Sequence, residues 1–182
     1  LAETYNVKGL VYKHPLYQSM TLEKSKVRIT FENVSNGRMA TGDEIADARF
    51  RELFNEGTSD ILVTADEVFS DPGKFFIINL ERKDKYEDGH VPGAIRYKPE
   101  ATLGFIEEMS TIPADKTVVV YCGTGHNSGF ATAYLRLFGY DARTLKYGNN
   151  SFMHDKMMAE KTSLSWEAFT EDMVKDYPYT KN

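Results

Sequence analysis

The sequence predicts an α/β fold, a mostly parallel sheet covered by helices on both faces, and three observations predict it. Short apolar runs rich in β-branched residues alternate along the chain with segments whose apolar residues recur at helical spacing. The run Val118-Val119-Val120-Tyr121 is apolar throughout, as a strand covered on both faces must be. A loop with glycines at 123 and 125 follows at once, and then Phe130, Tyr134, Leu135 and Phe138 keep the period of a helix. With 182 residues, 41% of them hydrophobic and 27% charged, the chain can bury a sizeable core.

The elements follow in order within a main domain over residues 57–182. Ile61–Val63 reads as a short strand, Thr64–Phe69 as a short helix capped by Thr64, and Phe75–Leu80 as a buried strand. Ala94–Tyr97 is a further strand, Leu103–Met109 a helix, and Thr117–Tyr121 the strand that leads into the glycine loop. Gly139 stops the helix after that loop, Ala142–Leu145 forms the last strand, and Ser165–Asp176 is expected to close the domain as an amphipathic helix.

Residues 1–56 form an N-terminal extension of different character. Lys26–Val34 alternates charged and apolar residues, the period of a half-exposed strand, and Asn36-Gly37 is a turn signal, so a β-hairpin arm is expected. Gly42–Gly57 carries Ala46, Phe50, Leu53 and Phe54 at helical spacing and is expected to be an amphipathic helix.

Composition excludes several classes of function. A net charge of −5 and a pI near 5.4 argue against a nucleic-acid or anionic-membrane partner. No apolar run approaches the ~20 residues of a membrane-spanning helix. His14, His90, His126 and His154 show no ligand spacing, so neither a metal site nor a cofactor is expected. The chain starts Leu1-Ala2-Glu3 rather than with methionine; this and the character of the extension lead to an expected periplasmic or extracytoplasmic location, a cytoplasmic one remaining open. The oligomeric state has no signal in the sequence.

The chemistry centres on Cys122, the only cysteine. Its position, after a buried strand and before a helix, aims backbone N–H groups and the positive end of a helix dipole at the sulfur. A thiol so placed ionises more easily than a free one. Ser128 is expected to cap the helix rather than to act as a catalytic hydroxyl. The alternative for Cys122 is a small buried residue at a strand end, with no chemistry.

A second segment makes the reading specific. Asn79–Ile95 contains an acidic turn, Tyr86, and then Gly89-His90-Val91-Pro92-Gly93-Ala94-Ile95, and a Cys-x-x-Gly loop follows some thirty residues later. This order resembles that of rhodanese-like domains, and the resemblance runs from about Ile61 to Phe152. It implies a sulfurtransferase in which the thiolate of Cys122 attacks the outer sulfur of a small anionic donor and becomes a persulfide. The sulfur then passes to an external thiol, small molecule or protein, or to another acceptor. With no second cysteine, the cycle cannot end in an internal disulfide. The resemblance makes Cys122 the nucleophile and the backbone of Gly123, Thr124, Gly125, His126, Asn127 and Ser128 the substrate-binding cradle. It also implies that His90 braces its own turn.

The departures from the family pattern bear on the substrate. Asn79-Leu80-Glu81 stands where catalytic members usually have Asp-x-Arg, and Gly123 and Asn127 stand where the loop usually carries arginines. The usual Gly-Gly pair after the next strand is Tyr147-Gly148, followed by Phe152 as the aromatic. Helix dipole and amides would have to hold an anionic donor, with His126 either supplying a positive or hydrogen-bonding group or pointing into solvent. A phosphatase is disfavoured, because phosphoryl transfer needs a loop arginine and Asn127 occupies its place. The alternative from another class is a catalytically weak or inactive rhodanese-like binding or sensing module.

Overall fold

The computed structural model describes residues 42–57, 60–97, 111–113, 115–160 and 166–181. The expected arm over residues 26–37 and the expected helix over residues 103–109 lie outside these. Among the described residues five strands form one sheet: β1 (Leu62–Val63), β2 (Phe76–Asn79), β3 (Ile95–Arg96), β4 (Val118–Tyr121) and β5 (Ala142–Leu145). Their order is β1-β5-β4-β2-β3 and every pairing is parallel. Strand β4, apolar and fully buried, is central, with Val120 opposite Ile78 on one side and Thr144 on the other. The predicted class and the core strands are therefore observed, each within about a residue of its expected bounds.

Alternation along β4 divides the core into two faces. Val118 and Val120 pack with Ile78, Leu80, Ala142 and Leu135 of helix α4 (His126–Leu137). Val119 and Tyr121 pack with Ile77, Leu145 and Val68 of helix α2 (Ala65–Ser70) on the opposite face. Each buried valine contributes roughly 1.5–3 kcal/mol, so the central strand is fixed mainly by hydrophobic burial.

Helix α2 begins where Thr64 predicts. Thr64 accepts from the Glu67 backbone N–H at 3.3 Å, and the Glu67 carboxylate accepts from the Thr64 N–H at 2.9 Å. This reciprocal pair satisfies two otherwise open donors of the first turn. Thr64→Ala is expected to lower stability by about 1 kcal/mol, read as a reduced urea midpoint at unchanged slope.

Helix α1 (Gly42–Glu56) forms as expected, but only part of its apolar stripe faces the domain: Ala46 and Leu53 are half-buried. Phe50 and Phe54 are exposed, and Arg49 is the buried residue. The guanidinium of Arg49 donates to the carbonyls of Leu137 (3.2 Å) and Arg136 (2.6 Å), and Arg136 pairs with Glu56 at 2.9 Å. Open carbonyls at the C-terminal end of α4 need donors and favour a cation, and that requirement orients α1.

Two short helices have no apolar stripe that the sequence could signal: α3 (Lys83–Asp88) and α5 (His154–Glu160). The expected closing helix over Ser165–Asp176 is not formed in its described part, 166–176. Trp166 and Ala168 are buried beside Met157, Trp166 ends a 3₁₀ turn, another spans Glu171–Met173, and the rest from 167 to 176 has no regular structure. Phe169, Met173 and Val174 are exposed, so a helix here would have no apolar face to bury and lacks the packing that stabilises short helices.

The Gly-His-Val-Pro-Gly-Ala turn is tied to β4. His90 stacks on Tyr86 with ring centroids 3.9 Å apart, and its Nδ1 is 2.7 Å from the Tyr86 carbonyl. Tyr86 donates its hydroxyl to the Ala94 carbonyl at 2.7 Å, and the Val91 N–H donates to the Tyr121 hydroxyl at 3.0 Å. His90 thus braces the turn as expected, and the turn positions the last residue of β4.

Candidate active site

Parallel register brings the C-terminal ends of β2, β4 and β5 to one edge, where such sheets form ligand sites. Cys122 leaves β4 at that edge. Gly125, at φ +94°, turns the chain into α4, and its N–H donates to the Cys122 Sγ at 3.3 Å. The sulfur therefore lies against the first turn of a twelve-residue helix and accepts a backbone donor there. Cys122 itself is only 4% exposed.

Ser128 is not the helix cap. The helix starts at His126 with Gly125 as its cap residue, which places Ser128 inside the first turn. A glycine in the left-handed region lets the chain turn sooner than the cap chemistry of serine suggests. The Ser128 hydroxyl is buried beneath the sulfur: it donates to the Gly125 carbonyl at 3.0 Å, shares a hydrogen with Thr144 Oγ1 at 2.6 Å, and accepts from the thiol at 3.7 Å. Thr124 and His126 form the rim, joined through Thr124 Oγ1 and His126 Nδ1 at 2.8 Å, and both His126 and Asn127 are exposed. Of the expected cradle, Gly125 meets the sulfur through its amide and Ser128 through its hydroxyl, while His126 bonds to Thr124.

Three residues that motif reasoning left outside the site belong to its frame. Gly148 follows β5 with φ +56°, and a Cβ built there would lie 2.1 Å from the Cys122 carbonyl oxygen and 2.9 Å from the Gly125 nitrogen. The next amide, of Asn149, donates to that same Cys122 carbonyl at 2.9 Å. Only glycine permits this approach of two backbones. Tyr147, where the family's pair has its first glycine, holds φ +66° without being glycine and is exposed. Asn150 binds the other side of the loop, donating to the Gly123 carbonyl at 3.3 Å and accepting from Phe169 N–H at 2.8 Å.

The third is Glu81, two residues past β2. It is 3% exposed, and its Oε1 has no hydrogen-bond partner. Its backbone N–H donates to Asn79 Oδ1 at 2.8 Å, and its carbonyl accepts from Arg96 at 3.2 Å, so the residue is held firmly in place. Burial pushes its carboxyl up to about 7, opposed by a hydrogen bond from the Gly123 backbone. A titratable carboxyl therefore lies against Gly123, the residue that follows Cys122. The sequence marked position 81 as a missing arginine, and only the fold shows the carboxyl buried against the loop.

The rhodanese-like domain family model matches residues 64–155, about half of the chain. The chain belongs to the rhodanese-like family. Curated relatives of this rhodanese-like chain include tRNA sulfurtransferases of Desulfurococcus amylolyticus, 32% identical over 84 residues, and of Pyrobaculum aerophilum, 31% identical over 85. Those matches cover 46% and 47% of this chain but 16% and 17% of the relatives, so the chain spans about a sixth of their length. Among solved structures, a rhodanese-related protein from Thermoplasma volcanium is 18% identical, covering 51% of this chain and 90% of that one at a TM-score of 0.46. A human single-domain sulfurtransferase is 18% identical, covering 57% and 98% at a TM-score of 0.40. No described helix is long and apolar enough to cross a membrane.

Proposed function

We propose that this rhodanese-like domain is a sulfurtransferase that carries a sulfane sulfur as a persulfide on Cys122 and delivers it to an external thiol or other acceptor. The observation that carries the reading is the hydrogen bond from the Gly125 amide to Cys122 Sγ at the start of α4. In the first step the Cys122 thiolate attacks the outer sulfur of the donor. A sulfur–sulfur bond forms to Sγ, and the donor's own bond to that sulfur breaks with its electron pair leaving on the departing group. The negative charge that the persulfide carries is held by the helix end and the loop amides, which need no reorganisation. Ser128 supports both thiol and thiolate, since its hydroxyl accepts from the former and can turn its hydrogen towards the latter. In the second step the acceptor thiolate attacks the terminal sulfur, and Cys122 leaves as a thiolate.

The test is turnover with cyanide as acceptor. Thiocyanate release from a sulfane donor is expected for the parent and lost, to the uncatalysed rate, in Cys122→Ser. Equal rates in the two proteins would reject the proposal. A folded parent that releases no thiocyanate with any donor class would favour the second reading, a binding or sensing module. Two features favour that reading: the slight exposure of Cys122 and the carboxyl of Glu81 at the loop.

A further inference from the structure

We propose that Glu81 sets the charge selectivity of the site, so that the Cys122 loop takes sulfane sulfur from neutral or singly charged donors and discriminates against dianions such as thiosulfate. The inference rests on the sulfurtransferase reading and names the donor class for it. Its basis is geometric. The carboxyl is almost wholly buried, one of its oxygens has no partner, and the β2–β4 register, continued by the Leu80 N–H to the Tyr121 carbonyl at 2.9 Å, sets residue 81 beside Gly123, whose backbone favours the carboxylate. An amide engaged with a protein carboxylate is withdrawn from a bound anion. The carboxylate also adds a negative charge beside the residue that follows Cys122, in surroundings that screen it poorly, and an anionic donor at the sulfur is repelled by it. A dianion meets twice the repulsion of a monoanion there.

The groups around Glu81 leave its charge largely uncompensated. Arg82 is exposed and pairs with Asp84 at 2.8 Å, and the ammonium of Lys85 pairs with Glu160. Arg96 directs its Nη1 to the Glu81 backbone carbonyl. From β4, Tyr121 is the buried titratable group that feels the Glu81 charge, and Cys122 and His126 follow it along the loop.

Thiosulfate and methanethiosulfonate make a matched pair of probes, since a methyl group replaces one charged oxygen. With either, Cys122–S⁻ attacks the outer sulfur, and sulfite or methanesulfinate leaves with the electron pair of the broken bond. The measurement is the second-order rate of loading one sulfur onto Cys122, followed by intact mass. The ratio of the two rates on one protein cancels changes in thiolate content. In the parent, the thiosulfate-to-methanethiosulfonate ratio is expected to fall several-fold between pH 6 and pH 8 as Glu81 ionises. In Glu81→Gln the ratio at pH 8 is expected to rise about tenfold or more, and its pH slope to vanish.

A ratio in Glu81→Gln within twofold of the parent's at pH 8, or an unchanged pH slope in that variant, would overturn the assignment, the second result pointing to His126. Should Glu81→Gln not fold, the parent decides alone: a flat ratio from pH 6 to pH 8 would reject the inference. Failure of both probes to load the parent would instead strike the sulfurtransferase reading, so the two failures are distinguishable.

Discussion

Gly148→Ala is expected to destabilise the domain by about 3 kcal/mol and to slow sulfur transfer roughly 100-fold. The position combines two independent costs. At φ +56° an L side chain is strained, and the added Cβ would sit 2.1 Å from the Cys122 carbonyl oxygen, where no atom fits. Relief requires the segment after β5 to separate from the loop. That movement breaks the Asn149-to-Cys122 hydrogen bond that holds the Cys122 backbone. Tyr147→Gly serves as the counterpart, because the φ of +66° there is the strained state for tyrosine, and the substitution is expected to be tolerated. Denaturant melts with a single-turnover loading assay check both. An unaltered loading rate in Gly148→Ala would show that the segment after β5 does not position Cys122.

The second large effect concerns pH. Burial raises the Glu81 carboxyl from 4.5 to about 7, so the folded state holds this proton more tightly than the unfolded chain does. Stability from this group is fully present below about pH 4.5 and is lost as the pH rises through about 7. The loss between pH 5 and pH 8 is about 2 kcal/mol, less than the full shift implies because part of it falls below pH 5. Glu81→Gln keeps the shape and removes the charge. Unfolding free energies of parent and variant are therefore expected to diverge by about that amount between pH 5 and pH 8, in the variant's favour at the higher pH. Parallel curves would show that Glu81 is not a buried, ionising group.

The fold was legible because its signals are local and strong. Val118–Tyr121 could be little else than a central strand, and Thr64 with Glu67 announces the start of α2. The Gly-His-Val-Pro-Gly-Ala segment is readable as a motif because its parts hold one another in place, with His90 stacked on Tyr86 and the Val91 amide reaching Tyr121. What the sequence concealed depends on partners remote along the chain. Arg49 is buried because the end of α4 needs donors, and nothing near residue 49 signals that. The stretch from Trp166 has helical spacing without a second surface to bury it.

At the site, Cys122 and the glycine-bearing loop were visible from the pattern. The helix began three residues earlier than a Ser128 cap would place it, because a left-handed Gly125 turned the chain first. Gly148 stands in the sequence as one half of a family pair, yet the need for glycine there is set by a carbonyl 26 residues earlier, at Cys122. Glu81 looked like a lost arginine, and only the sheet register, which brings the end of β2 beside the end of β4, makes it part of the site.

The central claim is that Cys122 Sγ accepts the sulfur. Its most direct test is the intact mass of the protein after brief exposure to methanethiosulfonate, followed by removal of the donor and addition of a small thiol. One added sulfur, located by fragmentation on Cys122 and removed by the thiol, absent in Cys122→Ser, is the predicted result. A folded parent that stays at its native mass, or that gains sulfur equally in Cys122→Ser, would contradict the account.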